Sequence, residues 1–336
     1  MKVCTIVSLS IAILWTNGEA WSQKSPATVR FGVAGVSGTN AHYYVARQLG
    51  LFRKNNLEVE MITFQGGSQL TQTVLAGGLD FLTLEGTLGL AANQKNVNLF
   101  FIAGVINTFP FTIVSKPEIR IPSDLRGKKI AISRLGSATH VAVRSTLERY
   151  DLKSEKDFVI IQSGGQAERF AALRAGVVDA AIISPPFNLV ARRLGFNDLI
   201  DLSEKGVPYA LQQIGVRKDF MERHPELVSR FLRGIVEGFS YWKDPSKRAL
   251  ITEKVAQFLR LDSQKDREQL DETFRYYGKV FPTKPYPTLE GLDLAAQLFK
   301  KDRPDAKDVR PSEYVVNRFI DEMEQDGFLA RVFGSR

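Results

Sequence analysis

The sequence predicts an α/β protein built from two similar lobes, and three observations carry that expectation. The first is a repeat. Gly66 is followed by nine residues, Ala76-Gly77, two residues, Asp80 and an apolar run at 81–84. Later in the chain Gly165 is followed by nine residues, Ala175-Gly176, two residues, Asp179 and an apolar run at 180–183. In both copies a glycine turn opens a short helix, Ala-Gly ends it, and an aspartate precedes a buried strand. The second observation is the alternation of strand-like and helix-like segments up to residue 115. It reads βαβαβαβ and argues for a mostly parallel sheet with helices on its faces. The third is bulk: 336 residues, 44% hydrophobic and 24% charged, which is enough for two real cores. Two similar lobes imply a cleft between them.

Composition also excludes function classes. The net charge of +8 comes from scattered basic residues, so no nucleic-acid tract is indicated. Lys2, the apolar run 3–15 and the ending Gly18-Glu19-Ala20 read as a secretory signal peptide over 1–20, cleaved before Trp21. The single cysteine, Cys4, lies inside that segment. The mature chain is therefore expected to have no disulfide, no Cys-based metal site and no thiol nucleophile. No GxSxG, HExxH or Cys/His spacing occurs, so no catalytic residue, metal or cofactor is expected.

Taken in order, residues 29–33 read as the first strand and 35–40 as a Gly/Ser/Thr loop. Residues 41–52 follow as a helix, with Thr39 or Asn40 as its N-cap. The loop lacks GxGxxG, so a dinucleotide fingerprint is absent. Strands are expected at 57–64, 81–84, 99–106 and 111–115, with helices at 68–76 and 88–94 between them. After the Pro-containing break at 116–122, strand 130–133, the loop 136–139 and helix 141–150 repeat the opening layout. Strand 158–162 and the second copy of the repeat follow, then helix 187–194 and a short strand at 199–202. Residues 209–216 are expected to be extended and to return the chain to the first lobe. From 217 on the texture is helical, with helices at 227–242, 247–258, 265–277, 288–300 and 311–325. This third is expected to pack on the first lobe.

With those segments placed, the chain resembles the periplasmic substrate-binding proteins of the nitrate/sulfonate/taurine type of ABC importer, a family that includes binders of thiamine-pyrimidine precursors. The residues carrying the resemblance are Tyr44-Val45-Ala46 to Gly50-Leu51-Phe52, the two AGxxD copies, Asp124-Leu125-Arg126-Gly127-Lys128, Gly136-Ser137, Pro185-Pro186 and Pro287-Thr288-Leu289-Glu290-Gly291. They span nearly the whole mature chain, and their order is more specific than any one of them. The resemblance implies a two-lobe type II periplasmic-binding-protein fold with two crossing strands as hinge. Lobe one would comprise 27–112 and 213–336, and lobe two 117–210. It implies a monomer that takes a small-molecule ligand by hinge closure and docks on a membrane permease. The alternative is an enzyme of the same fold related to thiamine-pyrimidine biosynthesis. Such relatives use a cysteine-rich motif, which the mature chain lacks.

Ligands in such sheets meet the C-terminal ends of strands and the helix starts that follow them. The first loop offers Ser37, Gly38, Thr39, Asn40 and His42. The repeat offers Gly67 and Ser68 at one end and Glu85 and Thr87 at the other. Asn107 ends a strand, and Ser137, Ala138 and Thr139 open a helix of lobe two. Ser184 and Pro185 follow the second repeat. On the return crossing only one of Gln212 and Gln213 can face the ligand, because neighbouring strand residues point opposite ways; Gln213 is taken here. A carboxylate at a helix start repels an anion. Glu85 therefore either turns away or meets an amine or ring N–H. Arg134 is the nearest candidate for an anion contact. Asp80 and Asp179 are expected to hold turns.

Overall fold

The computed structural model describes residues 25–64, 67–154, 156–203 and 208–334. The expected signal peptide and Gly66 of the repeat lie outside the described residues. The chain begins β1 (Ala27–Ala34), α1 (Ala41–Gln48), α2 (Leu51–Lys54), β2 (Leu57–Phe64), α3 (Gly67–Leu75), β3 (Phe81–Leu84), α4 (Gly86–Asn93) and β4 (Leu99–Ile106). It then builds β5 (Thr112–Ser115), β6 (Lys129–Ile132), α5 (Ala138–Glu148), β7 (Val159–Gln162), α6 (Gln166–Arg174), β8 (Ala180–Ile183), α7 (Phe187–Arg193) and β9 (Asn197–Asp201). It returns through β10 (Gln212–Arg217) and continues in helices α8 (Lys218–Arg223), α9 (Pro225–Lys243), α10 (Arg248–Leu259), α11 (Arg267–Val280), α12 (Leu289–Asp302), α13 (Arg318–Gln325) and α14 (Phe328–Phe333).

Two five-stranded sheets result, ordered β2-β1-β3-β10-β4 and β7-β6-β8-β5-β9. The orders correspond strand for strand. In each sheet four strands run the same way, and one strand, β10 in the first and β5 in the second, is inserted antiparallel to both of its neighbours. The sheets are thus mostly parallel in strand direction, with one reversed strand each that the element order alone does not give. Apolar alternation does not reveal a strand inserted from so far along the chain.

The two repeat copies do the same work. Gly77 and Gly176 sit at φ 76 and φ 72, the left-handed conformation that ends a helix at little steric cost. The Asp80 carboxylate accepts from the Arg30 N–H at 2.7 Å, and the Asp80 N–H donates to the Arg30 carbonyl at 3.0 Å. Asp179 makes the matching pair with Lys129, both at 2.9 Å. Each aspartate ties the strand it precedes to the neighbouring parallel strand.

The helical third packs on the first sheet's side. Phe231 of α9 lies among Phe31 of β1, Phe52 of α2 and Phe81 of β3, and Phe81 stacks on it at 4.1 Å. The helix expected over 311–325 is broken. Residues Pro311–Tyr314 form a 3-10 turn. Val316 then donates its N–H to the Phe101 carbonyl at 3.0 Å. Backbone pairing at the edge of the first sheet thus displaces helix there. Gly327, at φ 73, ends α13 and opens α14, which the sequence reading did not anticipate.

Candidate functional site

The sheets meet across a cavity of about 120 Å³. That is far below the roughly 300–1,000 Å³ of pockets for drug-sized ligands, so the cavity suits a small solute. One wall comes from the ends of β1 and β3, the turn before α1, and β10. The other comes from the end of β6, the start of α5, and Gly164 through Arg169. Of the residues expected from sequence, Ser37, Thr39, Asn40, Gly67, Glu85, Ser137, Ala138 and Thr139 line it.

On the first wall Asn40 is a brace rather than a side-chain cap. Its amide donates to the Ala34 and Gly35 carbonyls, both at 2.8 Å, and holds the loop after β1 in place. Its Oδ1 accepts from the Gln212 amide at 2.5 Å. Gln212 Oε1 is buried with no hydrogen-bond partner. A buried acceptor left unpaired costs on the order of 1–3 kcal/mol, so it is a place for a solute donor.

Glu85 sits between β3 and α4. One carboxylate oxygen accepts from the Tyr209 hydroxyl at 2.6 Å and the Thr87 hydroxyl at 2.8 Å. Ala138, the first residue of α5, lines the cavity opposite it. Burial pushes the Glu85 pKa up to about 7; the bonds from Tyr209 and Thr87, and the backbone N–H of Ala138 facing it, oppose that rise without cancelling it.

The second wall is rich in donors. Ser133, Ser137 and Thr139 join hydroxyls at 2.8–2.9 Å, matching Ser37 and Thr39 at 2.6 Å on the first wall. Arg169 of α6 is only 4% exposed. It donates from Nε to the Ile182 carbonyl at 2.8 Å and from Nη1 to the Gly164 carbonyl at 2.7 Å. Burial pulls its pKa down to about 10, with Glu168 opposing, so it stays charged at neutral pH. Among the described residues no carboxylate lies within ion-pair distance of it. Among the described residues Glu85 and Arg169 are the only charged ones lining the cavity.

The remaining expectations fall elsewhere. Thr87 lies behind Glu85 as its donor. Ser184 is turned into Gln166, which bonds its N–H, hydroxyl and carbonyl. Gln213 points away from the cavity and donates to Asn107 at 2.9 Å, so Gln212 takes the cavity-facing position. Gly38 and Pro185 touch beside the cavity. A Cβ on Gly38 would stand 2.0 Å from the Pro185 carbonyl oxygen, so only glycine permits this approach. The Ser68 side chain lies outside what is described. Arg134 is exposed and does not line the cavity. Arg169, Gln166, Ser133 and Gln212 lining the cavity were not among the expected site residues. The strand–loop–helix signal reached Gly165, but not the buried face of the helix it opens.

His42 is corrected most fully. It is 1% exposed and packs against Tyr43, Phe239 and Phe281 at ring distances of 3.7, 5.5 and 4.5 Å, away from the cavity. Neither ring nitrogen finds a partner of acceptable geometry. Burial holds its pKa well below 6.5, with the Thr39 backbone opposing. The folded state thus keeps His42 neutral while the unfolded chain protonates near 6.5. Its contribution is intact above that pH and is lost as pH falls below it. Urea unfolding at pH values from neutral to mildly acidic should show the wild type losing stability relative to His42→Phe, by up to about 1.4 kcal/mol per pH unit. Parallel pH profiles for the two proteins would contradict this.

Comparison with known proteins adds the family. The family model described as NMT1/THI5 like matches residues 38–248. The taurine-binding periplasmic protein of Escherichia coli K12 is 24% identical over 282 residues, 80% of this chain and 85% of that one. A structure of an alkanesulfonate-binding protein from Xanthomonas axonopodis pv. citri bound to MOPS superposes with a TM-score of 0.71 at 20% identity, covering 87% of this chain and 99% of that one. The periplasmic nitrate-binding protein of Synechocystis PCC 6803 gives a TM-score of 0.73 at 14% identity, covering 92% and 91%. At these identities the structural likeness speaks for the fold.

Proposed function

Because the chain belongs to the NMT1/THI5-like family, we propose that it is the solute-binding component of an ABC importer, exported through residues 1–20 and acting as a monomer in the periplasm. Lobe one is taken as 27–112 with 213–336 and lobe two as 117–210. Solute binds between them, and the closed form delivers it to a membrane permease. The taurine, sulfonate and nitrate binding named for its relatives and structural neighbours supports a small oxyanion-bearing solute.

The observation that carries this reading is the polarity of the cavity. One wall presents acceptors, Glu85 and the unpartnered Gln212 Oε1. The other presents the buried Arg169 cation and the Ser133–Ser137–Thr139 hydroxyls. An oxyanion fits the Arg169 side, where a charge-assisted bond in a desolvated site is strong. A donor, above all an ammonium, fits the Glu85 side. The ligand-facing set is then Ser37, Thr39, Asn40, Gly67, Glu85, Ser137, Ala138 and Thr139, joined by Arg169 and Gln212.

Thermal unfolding of the mature chain with taurine, ethanesulfonate, nitrate and a pyrimidine tests the function. A true ligand at a hundredfold excess over Kd adds about 2.7 kcal/mol, which is a melting-temperature rise of roughly four degrees for a chain of this size. Absence of any shift together with turnover of one compound would overturn the binding-protein reading in favour of an enzyme.

A further inference from the structure

Helix α11 lines none of the cavity, yet it touches the segments behind both walls. The chain crosses between the two sheets twice, from β4 to β5 and from β9 to β10; everything else between them is contact. α11 belongs to the helices packed on the first sheet. Its Tyr277 meets Trp242 of α9 edge-on at 5.9 Å, and Lys243 of α9 donates to the Gly278 carbonyl at 2.7 Å. Its start reaches the second sheet's side. Arg193, in the last turn of α7, donates to the Asp266 carboxylate at 2.7 Å, the Gln269 side-chain oxygen at 3.0 Å and the Lys265 carbonyl at 2.7 Å. Arg192 donates to Glu272 at 3.1 Å. Asp266, Gln269 and Glu272 are three apart and so share one face. Further along, Tyr277 donates its hydroxyl to the Pro185 carbonyl at 3.4 Å. These contacts bear on the cavity. Pro185 follows Ser184, which cavity-lining Gln166 holds at its N–H, hydroxyl and carbonyl. Phe187 of α7 meets Phe170 of α6 edge-on at 5.8 Å, next to Arg169. A shift of α7 therefore carries Gln166 and Arg169 with it. On the first wall the Tyr277 hydroxyl stands 3.0 Å from where a Cβ on Gly38 would lie, between Ser37 and Thr39 of the cavity.

We propose that α11 is a strap that sets solute affinity from outside the cavity: its grip on Arg192, Arg193 and Pro185 fixes the spacing of the two walls. This rests on the solute-binding reading above and adds positioning residues to it.

A single exposed ion pair is worth little, because water and salt screen it and two long side chains must be ordered to make it. Arg193 differs in meeting three acceptors at once. One is on the buried Gln269, and another is on Asp266, whose side chain is only 14% exposed. The planar guanidinium satisfies them together, which an isolated surface pair does not do. The contrast is Lys301 of α12 with Glu148 of α5, 2.6 Å apart. That pair also joins the two sides, but through one bond from a solvent-facing lysine. Between Gly38 and Pro185 the backbones themselves approach, since a Cβ on Gly38 would stand 2.0 Å from the Pro185 carbonyl oxygen. The strap thus holds the walls at a spacing that only glycine at position 38 allows. Loosening it lets the walls part, and apparent affinity falls with the fraction of molecules whose walls stand at the binding spacing.

Spin-label distances in the mature chain test the strap without any solute. No cysteine follows Cys4, so Ile62→Cys and Leu135→Cys can carry the labels. Ile62 is on β2, and Leu135 donates its N–H to Gln162 of β7. Both strands are sheet edges on the side away from the crossings, where a change in wall spacing shows most. Arg193→Ala and Gly38→Ala should each move the distance distribution to longer values than in the labelled parent. Calorimetric affinity for taurine should fall by roughly three- to tenfold in Arg193→Ala and by about tenfold or more in Gly38→Ala. Saturating taurine should return Arg193→Ala to the parent distance. Asp266→Asn added to Arg193→Ala should cost little more than Arg193→Ala alone, because both remove one contact. Lys301→Ala should stay within about twofold of the parent. Unchanged distances in both Arg193→Ala and Gly38→Ala overturn the strap even if taurine affinity falls. Equal losses in Lys301→Ala and Arg193→Ala overturn its assignment to α11. Longer distances in a protein that binds no taurine uphold the strap and count against the choice of solute.

Discussion

Arg169→Met should weaken binding of whichever oxyanion stabilises the wild type by roughly thirty- to a thousandfold, measured by calorimetry. Removing one partner of a desolvated charge pair costs about 2–4 kcal/mol, and among the described residues Arg169 is the only cation lining the cavity. Met matches its length and its apolar stem, so the lost term is chiefly charge and hydrogen bonding. Arg169→Lys should recover only part of the loss. A single ammonium cannot reach the Ile182 and Gly164 carbonyls together and still face the solute, which the planar fork of arginine does. Unchanged affinity in Arg169→Met would move the oxyanion to the hydroxyl cluster around Ser137.

Phe231→Ala should destabilise the protein by about 3–5 kcal/mol in urea, with the slope of the transition unchanged. Phe231 is fully buried, and its ring touches Phe31 at 5.0 Å, Phe52 at 5.5 Å and Phe81 at 4.1 Å. One truncation thus hollows the joint between α9, the first sheet and α2. Close packing leaves the neighbours little room to collapse into the space. Phe231→Leu keeps most of the volume and should lose clearly less. Equal losses for the two would mean that ring stacking, not the cavity, carries the energy.

How far the sequence could be read follows from which contacts are local. The repeat was legible because its parts act within one strand–helix–strand unit. Gly77 and Gly176 end their helices, and Asp80 and Asp179 bind the strand alongside. Most element boundaries fell within two or three residues for the same reason. The loops after strands led to Ser37, Thr39, Asn40 and Ser137–Thr139, since cavities in such sheets form at strand ends. Gln212 and Gln213 could not be ordered. β10 lies between β3 and β4 with both faces buried, so polarity marks neither side as the solvent face. Arg169 was hidden because a lone arginine in a short polar helix reads as a solvated face. His42 was misplaced because α1 is buried on several sides by α9, α10 and the aromatic cluster, which helical spacing alone does not reveal.

The insertion of β10 between β3 and β4 also sets an order of events in folding. Strands β3 and β4 are both complete by Ile106, yet they never pair with each other. The strand that joins them ends at Arg217, after every strand of the second sheet. The first half of the chain therefore cannot reach its final sheet while it emerges during synthesis. It must keep open the gap that β10 will fill, at the entropic cost of closing a long loop. The second sheet has the opposite history. Its inserted strand β5 is made first and waits only for the segments directly after it. The lobe synthesised second is the one free to fold first, and the lobe begun first is finished last.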